Sequence, residues 1–139
     1  EANEAALKLA ERVAGPGRQT VAYAEKSFHG KTRAALSVTD SELYQGTFQL
    51  LPNRVRVPFG DAAALQEAFD RDRSIGTLIL ETVQGGAGVV PWPEGFLKAV
   101  RRLCDAYGVL WIADEIARRL VKSETGPRAR RSPSCAGCR

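Results

Sequence analysis

Apolar residues recur along this chain at two spacings, and the change between them marks out its elements. Over residues 2–14 (ANEAALKLAERVA) they return every three to four positions: Ala5, Leu9 and Val13 share one face, and Ala6 and Leu7 widen it. That spacing, in a stretch of strong helix formers, predicts an amphipathic helix ended by Gly15–Pro16–Gly17. Residues 94–107 (EGFLKAVRRLCDAY) repeat the pattern, with Phe96, Leu97, Val100, Leu103 and Cys104 inward and Gly108 as the stop. A third helix is predicted behind Asp61, whose carboxylate suits an N-cap, with Leu65, Ala68 and Phe69 on its inner face. Residues 31–37 are compatible with the start of a fourth.

The second spacing is continuous. Residues 75–80 (IGTLIL) and 109–113 (VLWIA) are unbroken apolar runs, as strands buried on both faces are. Residues 19–24 (QTVAYA) and 55–57 read as shorter strands, the latter stopped by Pro58. Between them, Phe28–His29–Gly30 reads as a loop, residues 40–54 as irregular, and Gln84–Gly88 as a glycine-rich loop. Strands alternating with helices predict an α/β fold, a mostly parallel sheet covered by helices.

Charge divides the chain differently from hydropathy. Residues 118–139 hold seven cations (Arg118, Arg119, Lys122, Arg128, Arg130, Arg131, Arg139) against Glu124, a balance of +6. Taken from the net +4, this leaves −2 for residues 1–117. The basic character therefore belongs to a tail without apolar period, which reads as disordered. The body offers no electrostatic case for nucleic acid, and the tail only a non-specific one. No apolar run is long enough for a membrane span. Cys135 and Cys138 form a lone CxxC with no second pair, so no metal site is expected; Cys104 stands apart in the body, and no disulfide framework is implied.

Candidate chemistry sits at the strand ends, where ligands of open α/β sheets bind. Glu81 follows IGTLIL and Asp114 ends the run after VLWIA. By position alone each acid has two readings, a ligand-facing group or the cap of a following turn. Phe28 is a core residue or a ring-stacking one, and His29, the one histidine, is a satisfied loop residue or a neighbour of a site.

The order and spacing of EANEAALKLA, SFHGKT and LILETVQGGAGVVPWPEGFLKAVRRLCDAYGVLWIADEI, covering about residues 1–117, resemble the class III aminotransferases, fold type I pyridoxal-phosphate enzymes. The resemblance implies a three-layer sandwich, the partial cofactor-binding large domain, over residues 1–117, followed by the tail of 118–139. It implies that Asp114 pairs with the pyridine nitrogen of pyridoxal 5'-phosphate. An ionised carboxylate there keeps the ring protonated and electron-withdrawing. Ile116 and Phe28 would pack on the two faces of the ring, and His29 and Glu81 would border it. Thr82 replaces the family's usual proline, Gly86 stands where many members carry a second glutamate, and Ala117 where many carry a glutamine.

No residue here matches the lysine that forms the Schiff base. It is expected beyond the chain, as the phosphate-binding turn is expected before Glu1, so no catalytic residue is assigned. Lys122 lies in the basic tail and does not match it. The family's glycine-rich block should follow Ala117, yet Arg118–Arg119–Leu120 follows, which predicts a change of reading frame. The implied function is movement of an amino group between an amine or amino acid and an oxo acid or aldehyde, in a cytoplasmic homodimer, with this piece inactive alone. Two alternatives stay open: an aminomutase of the same fold, and a non-catalytic α/β binding module.

Overall fold

The structure, a computed structural model, describes residues 1–116. Ala117, the tail of 118–139 with Lys122, and the Cys135–Cys138 pair lie outside the described residues. Four strands, β1 (Thr20–Ala24), β2 (Arg54–Val57), β3 (Ile75–Glu81) and β4 (Leu110–Asp114), form one sheet in the order β2-β1-β3-β4. Every pairing is parallel. Each return to the same end of the sheet therefore needs a crossover. Helices α2 (Arg33–Ser37) and α3 (Glu42–Gln45) lie between β1 and β2, α4 (Ala62–Arg71) between β2 and β3, and α5 (Phe96–Tyr107) between β3 and β4; α1 (Ala2–Ala14) precedes the sheet.

The two sheet faces carry separate cores. Leu65 and Phe69 of α4 and Phe96, Val100 and Cys104 of α5 pack on Ala22, Ala24, Leu78 and Leu80. Leu7 of α1 and Val38 behind α2 pack on Tyr23 and Ile79 from the other side. The result is the expected three-layer α/β sandwich. All seven residues of β3 are buried, as its unbroken apolar run predicts for a strand covered on both faces. Asp61 caps α4, its Oδ1 accepting the Ala64 N–H at 2.9 Å, and Gly108 ends α5 in the left-handed conformation at φ 62°.

Three expectations need correction. The buried stripe of α1 is Asn3, Leu7 and Ala10, while Leu9 and Val13 are 65% and 62% exposed. Apolar residues surround this helix, so their spacing does not choose between faces, and packing on the sheet does. The strand β4 is not buried on both faces: only Asp114 is buried and Ala113 is exposed. It pairs with β3 alone among the described residues. Residues 40–54, expected to be irregular, include the single turn α3.

One glycine is required by close approach. A Cβ on Gly76 would lie 2.0 Å from the Arg18 carbonyl oxygen and 2.7 Å from Ala14 Cβ, so the turn after α1 can seat on β3 only over a bare backbone. Arg18 then donates to the carbonyls of Gly108, Ile75 and Tyr107, tying that turn to the end of α5. Among the described residues no helix is long and apolar enough to cross a membrane.

Candidate active site at the carboxyl edge of the sheet

The β3–β4 register pairs Glu81 directly with Asp114. Side chains alternate along a strand, so residues two apart share a face. Ile79 and Ile112, two positions earlier, belong to the core under α1. Both acids therefore leave the sheet on the α1 side, at the edge where parallel strands end together. The loop after β1 reaches the same place. It turns at Lys26, whose φ of 58° is left-handed and whose N–H donates to Asp40 Oδ2 at 2.7 Å. Ser27 Oγ donates to the Val38 carbonyl, and the His29 N–H to Thr39 Oγ1. These bonds fix the loop so that Phe28 and His29 face the acids.

Asp114 is buried and heavily bonded. Its Oδ2 accepts from Asn3 Nδ2 at 2.8 Å and lies 2.9 Å from His29 Nδ1, and its Oδ1 accepts the Ile116 N–H at 3.1 Å. An ionised carboxylate only accepts, which makes Nδ1 the protonated nitrogen of His29 toward it. Burial alone would raise the Asp114 carboxyl. The hydrogen bonds from His29, Asn3 and Ile116, with the attraction of His29, outweigh burial and hold it below its ordinary value.

Glu81 goes the other way. Its oxygens accept the N–H groups of Phe28 and Gly85, each at 3.2 Å, but burial dominates and its carboxyl is raised. Its backbone is held too: its carbonyl accepts Trp92 Nε1 at 2.8 Å, and Trp92 stacks between Phe59 and Phe96. Thr82 donates its N–H to the Asp114 carbonyl at 3.0 Å, a bond that a proline at this position could not make.

Phe28, His29, Glu81, Asp114 and Ile116 all line one cavity of about 390 Å³, and Glu1 and Ala2 at the start of α1 complete its wall. The structure thus brings together all five residues singled out from the sequence. Phe28 is 38% and Ile116 59% exposed, so both present apolar surface at the mouth. Phe28 and Gly86 are shared with an adjoining cavity of about 480 Å³ that reaches Tyr44. A Cβ at Gly86 would make ordinary contact with Phe28, at 3.4 Å, so the position has room for a side chain. A larger groove, about 770 Å³ between α1, α2 and residues 51–54, holds none of the five. Volume alone would select that groove, whereas convergent buried polar groups select the smaller cavity. Among the described residues no lysine lines the 390 Å³ cavity, and no three His, Cys, Asp or Glu residues cluster to hold a metal.

Sequence reasoning missed Asn3, Gly85 and Trp92. Gly85 acts through its backbone, which leaves no side-chain signal. Asn3 had one: it lies four residues before Leu7, on the stripe that turned out to be buried.

The family model "Aminotransferase class-III" matches residues 1–126. The aminotransferase PigE of Serratia sp. (strain ATCC 39006) is 42% identical over 117 residues, 84% of this chain and 13% of that protein. The acetylornithine aminotransferase of Bacillus cereus is 37% identical over 126 residues, 90% of this chain and 32% of its own length. Among solved structures, the ornithine aminotransferase of Toxoplasma gondii ME49 superposes with a TM-score of 0.74 at 28% identity, over 81% of this chain and 28% of that one. An amine transaminase from an uncultivated Pseudomonas species, solved in its PLP-bound form, gives a TM-score of 0.73 at 28% identity, over 83% of this chain and 32% of that one. The chain spans 13% and 32% of the lengths of PigE and the acetylornithine aminotransferase. With the family model matched along most of its length, the chain belongs to the class III aminotransferases.

Proposed function

We propose that this chain forms the pyridoxal-phosphate ring site of an aminotransferase that moves an amino group between an amine or amino acid and an oxo acid or aldehyde. The observation that carries the reading is the paired strand-end acids in one cavity, one carboxyl lowered and the other raised. Environments that push two carboxyls apart are characteristic of acid–base sites. The residues present fit the cofactor. Asp114 is a buried carboxylate kept ionised, the acceptor that a protonated ring nitrogen needs. Phe28 and Ile116 supply apolar surface for the two ring faces. The N-terminal turn of α1, where N–H groups lack intrahelical partners, borders the cavity and suits a phosphate.

When bound, pyridoxal phosphate supplies an electron sink for substrate carbanions. The chain's own part is to bind and orient. Asp114 accepts a hydrogen bond from the ring nitrogen and keeps the proton there. His29 and Asn3 hold Asp114 in place. Phe28 covers the ring and excludes water. Glu81 fixes the Phe28 backbone and the start of the glycine loop through the bonds it accepts. By the same resemblance, the whole protein works as a cytoplasmic homodimer. Because no residue of the sequence matches the family's Schiff-base lysine, the chain alone is expected to bind the cofactor without turning over substrate.

Equilibrium dialysis of the chain against pyridoxal phosphate tests this reading. Saturable binding weakened at least about tenfold by Asp114→Asn is expected, the worth of one hydrogen bond to a charged group. Absence of saturable binding, or equal binding by Asp114→Asn, contradicts it.

A further inference from the structure

The acceptor positions of the Asp114 carboxylate are nearly all taken, and the shortest of these contacts comes from Asn3. This residue stands in the first turn of α1, is 8% exposed, and is 111 positions from Asp114 in sequence. Its amide nitrogen gives one hydrogen to Asp114 Oδ2 at 2.8 Å and the other to the His29 carbonyl at 2.7 Å. The orientation of the amide follows from chemistry. Turned over, its oxygen would face a carbonyl and a carboxylate, both of which only accept.

A carboxylate has about four acceptor positions. On Oδ2, Asn3 takes one and His29 Nδ1 the other; on Oδ1, the Ile116 N–H takes one. A single position is left, on Oδ1, of a residue that lines the 390 Å³ cavity. We propose that Asn3 is a positioning residue: with His29 it pins Oδ2, so that the Asp114 carboxylate presents one acceptor, on Oδ1, to an N–H donor in the cavity. The amide also stabilises the charged form of the carboxylate through its hydrogen bond. By spanning to the His29 carbonyl it ties the α1 turn, the Phe28–His29 loop and the end of β4 into one unit. That the donor is a pyridine ring nitrogen rests on the function proposed above; the pinning of Oδ2 does not.

The test follows the Asp114 side-chain carboxyl carbon by NMR through a pH titration of the full chain, in wild type, Asn3→Leu and Asn3→Ser. Pyridoxal phosphate affinity is measured alongside by equilibrium dialysis. Leucine keeps the volume without a donor, and serine is too short to span both partners. In both variants the Asp114 midpoint should move upward, and affinity should fall by about tenfold, as for a lost hydrogen bond to a charged group. An unmoved midpoint in a folded variant overturns the proposal, as does, where wild type binds, a moved midpoint with unchanged affinity. If wild type takes up no pyridoxal phosphate while the midpoint moves, the cofactor reading fails and the pinning stands. If wild type binds and a folded variant matches it in both readouts, the pinning fails and the cofactor reading stands. If Asn3→Leu does not fold, Asn3→Ser supplies both readouts. Two unfolded variants would make Asn3 a folding residue and overturn the proposal.

Discussion

At the scale of single residues, two carboxylates directly opposite each other in the β3–β4 register behave oppositely. Glu81, raised by burial, holds its proton more firmly in the folded state than in the unfolded one. Folding is then favoured while Glu81 is protonated, and stability declines as pH rises from the ordinary 4.5 through the raised folded value. Asp114, lowered despite its burial, contributes stability that is complete above its ordinary 3.8 and is lost as pH falls through its folded value. Wild-type urea midpoints should therefore decline as pH rises above 4.5, and Glu81→Gln should remove that decline. A decline of equal slope in the variant would place its origin elsewhere. Both acids were legible in the sequence because a strand end is a conspicuous place for a charge. Their opposite shifts were not, because these depend on burial and on partners that the fold supplies: Asn3, His29 and Ile116 for one, and Phe28 and Gly85 for the other.

At the scale of elements, what was readable depended on whether the signal was local. The apolar run of β3 identified a strand buried on both faces, and Asp61 marked the start of α4 by its own hydrogen bond. The half-covered state of β4 was not readable, since its apolar run resembles that of β3 and only the sheet order puts it at an edge among the described residues. The buried face of α1 was ambiguous because alanines and branched residues surround the helix. α3, one turn long, carries no period to detect. Two substitutions separate local from non-local constraints. Asp61→Ala should cost about 1 kcal/mol, the worth of an N-cap. Gly76→Ala should cost more, about 3 kcal/mol, because its Cβ would meet the Arg18 carbonyl oxygen at 2.0 Å and force the α1–β1 turn off the sheet. Urea unfolding measures both, and a Gly76→Ala variant as stable as wild type would contradict the close approach.

At the scale of the whole molecule, the described residues make a sheet whose outer strands β2 and β4 each pair on one side only. Leu9, Val13, Leu43 and Phe48 stand more than half exposed around it. Unpaired strand edges and exposed apolar side chains favour self-association. Light scattering of the chain should rise with concentration, and Leu9→Lys should reduce the rise; scattering independent of concentration would argue against that view. In the cavity at the carboxyl edge, the role proposed for Asp114 is to accept a hydrogen bond from a protonated ring nitrogen. The most direct measurement is the ¹⁵N NMR shift of pyridoxal phosphate labelled at its ring nitrogen and bound to the chain. The shift of a protonated ring nitrogen is predicted in wild type and its loss in Asp114→Asn. An unprotonated ring nitrogen in the wild-type complex, or a protonated one that survives Asp114→Asn, would contradict the account.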